Sequence, residues 1–147
     1  MLGFSLGLSK YVVNTEHVFE IIPKVKIQKI PHTPEYLLGT INFGGKPINV
    51  IDLRIVIEGS PCRDFLDTRI ILISHPSGTG MMGILAEKVV EVSEFSEKDF
   101  VDTGVKVKDL PFLGGVLEEG ESSTQEIIIE TLFDLMNQPI ADKPCKT

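Results

Sequence analysis

Residues Gly39–Arg54, GTINFGGKPINVIDLR, contain the pattern that decides the fold. The glycine pair Gly44–Gly45 separates two apolar runs, and such a pair is typical of a two-residue β-hairpin turn because both positions take a positive φ. Pro47 follows at the start of the second run, where a strand tolerates a missing N–H. Ile48 and Val50 alternate with polar residues, which indicates one buried strand face. The stretch therefore predicts a hairpin within a β domain.

The rest of the chain consists of short runs rich in Val, Ile and Phe, separated by Gly, Pro, Asp, Asn and Ser. Many short strands with this punctuation predict an all-β fold, built as barrels or a sandwich. Consecutive apolar residues at Val12–Val13, Ile70–Ile73 and Ile127–Ile129 predict segments that are buried on both faces. The predicted strands are 2–6, 10–14, 17–22, 40–43, 47–52, 68–74, 82–86, 89–94, 113–118 and 125–130.

Helical signals are few and short. Thr33–Glu35 combines a cap, a first-turn proline and an acidic residue, and Gly39 supplies a stop, so we predict a one-turn helix there. Ser96–Asp99 has the composition of another single turn. Thr131–Asn137 is typical of a short terminal helix that ends near Pro139.

Composition narrows the class of function. The 147 residues are 42% hydrophobic and carry a net charge of -7 without any run of Lys or Arg, so no nucleic-acid partner is expected. Met1–Leu8 lacks the features of a signal peptide, and no stretch approaches the ~20 apolar residues of a membrane span. We therefore expect no direct membrane insertion. Cys62 and Cys145 are interpreted as reduced thiols, which favours a cytoplasmic protein.

One motif raises the possibility of a nucleotide-binding enzyme. Gly78–Gly83 spells G-x-G-x-x-G after a predicted strand, but a dinucleotide site requires a helix after that loop. The residues that follow are β-like, so a glycine-rich hairpin tip is the favoured interpretation. His17, His32 and His75 lack a second ligand at metal-site spacing. We predict no catalytic residue, no metal and no cofactor, and a protein that is not an enzyme.

Several segments together match the pattern of one known family. They are Phe4–Gly7, Tyr11–Val13, Val18–Ile21, Ile30–Pro34, Tyr36–Gly39, Ile41–Gly45, Pro47–Arg54 and Gly83–Val89. Through these segments the chain resembles the CheW family of chemotaxis coupling proteins, from about Phe4 to Met136. The most specific part of the resemblance is Gly39–Arg54.

The resemblance implies both a fold and a role. The fold would be two intertwined five-stranded SH3-like β-barrels with short one-turn helices and a short C-terminal helix. Residues 4–137 would form a single CheW-like domain, its two barrel subdomains crossing over near residues 58–67, and residues 138–147 would be a flexible tail. The role would be a cytoplasmic, non-enzymatic adaptor at receptor arrays on the inner face of the membrane, coupling chemoreceptors to a CheA-type histidine kinase.

The resemblance also implies two binding surfaces. The surface for the regulatory domain of the kinase would include Gly39, Asn42 and Gly45. The surface for the cytoplasmic tip of the chemoreceptor would be an apolar groove with an acidic edge, formed by Val18, Glu20, Ile21 and Val89. An alternative is that the three apolar residues of this second set only fill the core.

At one position the chain departs from the family pattern. The family usually has Asn-Leu-Arg-Gly where this chain has Asn42–Gly45, so Gly44 replaces an arginine that is linked to kinase coupling. Two alternative functions stay open. One is a divergent CheW-like module that serves a non-flagellar surface-sensing or motility pathway with other partners. The other is a nucleotide-binding enzyme that uses Gly78–Gly83.

Overall fold

The computed structural model describes residues 1–64, 66–78, 80–91, 100–101, 110–119 and 122–136, and these ranges are mostly β-structure. The strands are β1 (Leu2–Leu6), β2 (Ser9–Val13), β3 (Val18–Pro23), β4 (Leu37–Phe43), β5 (Lys46–Ile51), β6 (Arg69–Ser74), β7 (Met81–Ala86), β8 (Lys88–Glu91), β9 (Leu113–Glu119) and β10 (Ser122–Ile127). The helices are α1 (Leu53–Glu58) and α2 (Ile129–Met136), and a 3-10 turn covers Thr15–His17.

The strands of the described ranges lie in two five-stranded sheets. The first sheet has the order β8-β1-β2-β10-β9, and the second sheet has the order β3-β6-β7-β5-β4. The first and last strands of the described ranges lie in the first sheet, where β2 pairs in parallel with β10, whereas the second sheet takes the strands between Val18 and Ala86. This arrangement confirms the predicted fold class, an all-β protein of two interleaved five-stranded units with few short helices.

The second sheet curls until its two edge strands approach each other. Phe19 of β3 and Phe43 of β4 lie on opposite edges, yet their rings meet edge to face with centroids 6.0 Å apart. Gln28 and Thr40 exchange two backbone hydrogen bonds of 2.7 and 2.8 Å, which pairs the segment before β4 with β4 itself. The sheet therefore encloses a core as a small barrel does, and the edge of β4 is partly covered.

The hairpin predicted from Gly39–Arg54 is present as β4 and β5. Gly44 and Gly45 have φ of +60° and +85°, which is the pattern of the two-residue turn that matches the twist of the strands. Asn42 supports the turn, because its Oδ1 accepts a hydrogen bond from the N–H of Gly45 at 3.0 Å. The stretch that suggested the fold therefore forms the predicted structure.

Two hydrophobic clusters fill the part of the protein that the structure describes. The larger lies where the two sheets meet, since it draws buried residues from β1 and β2 of the first sheet and β5, β6 and β7 of the second. The smaller lies within the second sheet. Strand β6 serves both, with Ile71 and Ile73 in the larger cluster and Ile70 and Leu72 in the smaller. All four are 0% exposed, which confirms the predicted two-sided burial, and burying each contributes roughly 1.5–3 kcal/mol.

The structure corrects the one-turn helix predicted at residues 33–39. His32 takes a φ of +63°, and the N–H of Leu37 donates to the carbonyl of Pro34 at 3.0 Å, so a turn leads directly into β4. Thr33 does not cap a helix, because its Oγ1 donates back to the carbonyl of Ile30. Threonine and proline stabilise turns as well as helix starts, and here they mark a turn.

A helix that the sequence pattern did not predict, α1, follows β5 directly. Its Ile55, Val56 and Ile57 are β-branched and favour a strand, but the caps at both ends override that preference. Asp52 accepts the N–H of Arg54 at 3.0 Å as the N-cap, and Gly59 closes the helix with φ of +78°. The contact between Asp52 and Arg54 is therefore a helix cap.

The predicted crossover near residues 58–67 is wrong. That stretch connects α1 to β6, and the strands on either side of it, β5 and β6, both belong to the second sheet. The chain changes sheets at residues 14–17, between β2 and β3, and at Glu87, between β7 and β8. Glycine, proline and serine mark a loop, but they carry no information about which sheet the next strand joins.

The C-terminal elements begin earlier than the sequence pattern predicts. Strand β10 ends at Ile127 and α2 begins at Ile129, so Ile128 is a linking residue that is 37% exposed rather than buried. The predicted strand 89–94 is described only as far as Glu91, as β8. The predicted turn at Ser96–Asp99 and the predicted tail at 138–147 lie outside the described residues.

The second sheet change is built around the buried carboxylate of Glu87, which is 6% exposed. Its Oε2 lies 2.9 Å from Nη1 of Arg54 on α1 and accepts the N–H of Arg63 at 2.8 Å. Its Oε1 accepts the N–H of Gly7, in the β1–β2 turn of the first sheet, at 3.2 Å. Arg54 is also held by Glu58, with 3.1 Å between Nε and Oε1. One carboxylate thus connects three segments across the junction of the sheets.

We predict that Glu87→Gln lowers the free energy of unfolding by about 2–4 kcal/mol, because it removes the charge opposite Arg54 and leaves donors facing a weaker acceptor. Urea unfolding followed by circular dichroism measures the change. Glu35→Gln is the matched control, since Glu35 is exposed and lies in the turn before β4. Equal stability of the two variants would contradict this role of Glu87.

Candidate protein-binding surfaces

The residues predicted to face the kinase all lie on or beside the β4–β5 hairpin. Asn42 and Gly45 are exposed and are joined by the hydrogen bond that supports the turn. Gly39 lies further back in β4 and is buried. The structure therefore brings Asn42 and Gly45 together at the surface, and it places Gly39 behind them in the wall of the second sheet.

Gly39 has a steric reason to be glycine. Its φ is +144°, and a Cβ at this position would lie 2.1 Å from the carbonyl oxygen of Gln28. No side chain fits there, because Gln28 is paired with Thr40, the next residue of β4. Gly39 therefore allows the backbone pairing that covers the edge of β4.

We predict that Gly39→Ala lowers the free energy of unfolding by about 3 kcal/mol or more, because the new methyl group must displace the backbone of Gln28. Thermal and urea unfolding would measure the loss. Gly44→Asn is the control, since Gly44 has open space around it and asparagine accepts its φ of +60°. A Gly39→Ala variant as stable as the control would show that the close approach of Gln28 is easily relieved.

A shallow groove runs beside the hairpin, with a volume of about 310 Å³. We call it the hairpin groove, and it is lined by Lys26, Gln28, Thr40, Ile41, Asn42, Gly45 and Pro47. Two of these residues, Asn42 and Gly45, were predicted from the sequence as site residues. Lys26 and Gln28 were not, because the bridge between Gln28 and Thr40 that brings their segment to the hairpin has no signature in the sequence. The rest belong to the hairpin strands themselves.

The residues predicted to face the receptor lie on two edge strands. Val18 and Glu20 belong to β3, at the edge of the second sheet, and Val89 belongs to β8, at the edge of the first. Val18 and Val89 are partly buried, and both pack against the larger hydrophobic cluster. This partial burial agrees in part with the alternative interpretation, in which these two valines fill the core. Glu20 is exposed.

Strand β3 carries the exposed apolar side chains of this region. Ile21 is 39% exposed and Phe19 is 56% exposed, whereas the next residue, Ile22, packs against the smaller cluster. The register of β3 against β6 shifts between Val18 and Glu20, so strand alternation does not place Phe19 on the face of Ile21. The ring of Phe19 instead meets Phe43 of β4, a contact that has no signature in the sequence.

The glycine-rich motif does not have the geometry of a dinucleotide site. Gly78 takes a φ of +78° in the loop after β6, and the chain then enters β7, which pairs antiparallel with β6. No helix N-terminus follows the loop, so the phosphate-binding arrangement is not formed. This supports the interpretation as a hairpin loop over the nucleotide-binding alternative. Thr79 lies outside the described residues.

The described ranges contain no group of three or more His, Cys, Asp or Glu side chains placed to hold a metal ion. His75 is engaged locally, since its Nδ1 accepts the N–H of Ser77 at 3.0 Å. Across all the residues that the structure describes, no helix is long and apolar enough to cross a bilayer.

A comparison with known protein families agrees with this architecture. A family model described as the CheW-like domain matches residues 1–135. The chain belongs to the CheW-like domain family. The crystal structure of the scaffolding protein TtCheW from Thermoanaerobacter tengcongensis has a similar fold, with a TM-score of 0.78, 30% sequence identity and coverage of 90% of each chain.

Curated relatives of this CheW-like chain include two chemotaxis proteins. It is 26% identical over 135 residues to a probable chemotaxis protein CheW of Rhizobium etli, a match that covers 90% of this chain and 86% of that protein. It is 24% identical over 98 residues to the chemotaxis protein CheW of Helicobacter pylori, covering 67% of this chain. That second match spans 58% of the Helicobacter protein, less than two thirds of its length.

The backbone of the hairpin in this CheW-like chain explains why glycine suits position 44. Its φ of +60° favours glycine, whereas a side chain added at this position would meet no atom within 4 Å. Glycine in place of the family arginine therefore lets the turn take its positive φ without strain. It also leaves the exposed tip with one positive side chain fewer. Lys46, two residues on, still carries a positive charge there.

Cys62 lies beside Arg63, a partner of Glu87, and is partly buried. Burial, followed by the nearby negative charge of Asp52, raises the pKa of the Cys62 thiol far above its ordinary value. The N–H of Cys62 donates to Oδ2 of Asp52 at 2.9 Å, so the same carboxylate that caps α1 also faces this residue. A thiol in this setting stays protonated and does not act as a nucleophile.

We predict that Cys62 reacts at least about tenfold more slowly with iodoacetamide in the folded protein than in urea at about pH 8.5, because only the unfolded thiol ionises there. The experiment uses a Cys145→Ser variant, so that Cys62 is the reacting thiol. The unfolded rate should level off above the ordinary thiol pKa, while the folded rate should keep rising with pH. Identical pH profiles would contradict the raised pKa.

Proposed function

We propose that this chain is a non-enzymatic chemotaxis adaptor that couples chemoreceptors to a CheA-type histidine kinase, in the cytoplasm at receptor arrays. The observation that carries this proposal is the match of the CheW-like domain family to residues 1–135. The scaffolding protein TtCheW, which shares the fold, supports it. We further propose that residues 4–137 act as one CheW-like domain in this role.

In this proposal the kinase regulatory domain binds the tip of the β4–β5 hairpin. Asn42 and Gly45 are exposed there, and the hydrogen bond between them gives the turn one defined shape. A rigid turn loses little conformational entropy on binding, which favours its use as a docking element. Gly39 acts indirectly, because it allows the backbone pairing behind the hairpin.

The receptor tip, in the same proposal, binds where the edge strands β3 and β8 border the larger hydrophobic cluster. Ile21 supplies exposed apolar surface, Glu20 lies beside it, and Val18 and Val89 form the partly buried floor. An amphipathic helical segment binds to such a surface through its apolar face. Phe19 is also exposed on β3, but its ring meets Phe43 of β4, so it is not assigned to this surface.

We predict that Ile21→Lys weakens binding of the receptor tip at least about tenfold, because it places a charge in a desolvated apolar contact. Binding to the kinase regulatory domain should change by less than about twofold. Both affinities are measured by isothermal titration with partners encoded in the same genome. Ile21 is preferred to Val18 because Val18 packs against the core, and Val18→Lys would also destabilise the fold.

Asn42→Ala is the reciprocal control. It removes the hydrogen bond to Gly45 and should weaken kinase binding by about fivefold, in line with the loss of one hydrogen bond, while receptor binding stays unchanged. Loss of both partners in either variant, with an intact circular dichroism spectrum, would contradict two separate surfaces. Failure of the unmodified protein to bind either partner would overturn the proposed function.

A further inference from the structure

The charge of this acidic protein is unevenly distributed along the chain. Residues 110–136 contain six Asp or Glu and no Lys or Arg. Residues 21–51 contain four lysines and one glutamate, which leaves three positive charges in excess. The first of these segments supplies β9, β10 and α2, whereas the second supplies most of β3 and all of β4 and β5. The net charge of -7 therefore hides a positive region in the second sheet.

One of these lysines lines the hairpin groove, and two others are adjacent in the chain to residues that line it. Lys26 lines the groove, Lys46 follows Gly45 at the hairpin turn, and Lys29 follows Gln28, and all three are exposed. Lys24 is different, because its Nζ lies 3.1 Å from Oδ2 of Asp64. Within the described ranges no ion pair involves the other three. The positive charge at the groove is therefore not neutralised by a neighbouring carboxylate there.

The polar groups of the groove also suit an anionic partner. Asn42 uses its Oδ1 to accept the N–H of Gly45, which directs the remaining polar group of the side chain, the Nδ2 donor, to other partners. Lys26 has only donors. A surface that presents ammonium and amide donors pairs best with carboxylates, which only accept hydrogen bonds.

We propose that the hairpin groove binds an acidic protein surface, whose carboxylates face Lys26 and Lys46. Resting on the proposed function, the occupant is the kinase regulatory domain, because the groove shares Asn42 and Gly45 with the proposed kinase surface. Three lysines on a chain of net charge -7 form no continuous track for a phosphate backbone, so a protein fits better than a nucleic acid. The positive groove also guides the acidic partner during encounter, since opposite potentials speed association.

The test measures the affinity for the kinase regulatory domain at about 50 mM and about 500 mM NaCl, where screening differs strongly. For the unmodified protein the dissociation constant should rise at least about tenfold with salt. The double variant Lys26→Glu/Lys46→Glu should bind at least about tenfold more weakly at the lower salt and lose most of the salt dependence. Circular dichroism and thermal unfolding check that the variant is folded.

A second double variant, Lys10→Glu/Lys88→Glu, is the matched control. It changes the net charge by the same amount, and both lysines are exposed and pair with Ser5 in the first sheet, on β2 and β8. It should keep the salt dependence and bind within about threefold of the unmodified protein. Equal losses in the two double variants would mean that only total charge matters, and would overturn the proposal.

The remaining outcomes separate this inference from the proposed function. If kinase binding changes neither with salt nor in the Lys26→Glu/Lys46→Glu variant, the proposal of an acidic partner is overturned and the adaptor role stands. No kinase binding at any salt concentration overturns the adaptor role itself. Low-salt self-association in sedimentation velocity, abolished by the groove variant, would assign the groove to a second copy of this chain instead. Binding of a single-stranded oligonucleotide lost in the same variant would also overturn the proposal.

Discussion

The buried carboxylate of Glu87 is the constraint on which the arrangement of the two sheets depends. It lies at the single residue between β7 and β8, where the chain leaves the second sheet for the first. A buried carboxylate is stable only when its oxygens are paired, and here its partners are Gly7, Arg54 and Arg63. These partners come from a turn of the first sheet, from α1 and from the loop before β6. The requirement to satisfy one charge therefore holds three separate segments in place.

This junction determines which surfaces the protein can offer to partners. The larger hydrophobic cluster lies between the sheets, so the edge strands β3 and β8 both border it and their partly buried side chains lie at its rim. The β4–β5 hairpin lies at the other edge of the second sheet. In the proposed function the two partners bind at these two places, where they would contact different strands.

Local chemistry made some elements predictable and others not. Gly44–Gly45 lies between two apolar runs and can take the two positive φ angles that a two-residue turn requires, so the hairpin could be predicted from the residues alone. Helix α1 could not, because three β-branched residues favour a strand and only the caps at Asp52 and Gly59 reverse that preference. Thr33 and Pro34 stabilise turns and helix starts equally well, and their pattern led to the wrong element. Strand β6, with apolar residues on both faces, was correctly assigned because such a segment is stable only when buried. The similar run Ile127–Ile129 was not, because the chain leaves β10 there and starts α2.

The sequence by itself determined the β character of the chain, the hairpin, the resemblance to the CheW family and the absence of a phosphate-binding helix after Gly78–Gly83. Tertiary structure alone decided where the chain changes sheets, that Gly39 clears the carbonyl of Gln28, and that Lys26 lies beside Asn42. The physical reason is the range of the interactions. Turn geometry and strand patterning arise from residues within a few positions of one another. The pairing of Gln28 with Thr40 and of Glu87 with Gly7 joins distant positions, whose proximity only the packed chain establishes.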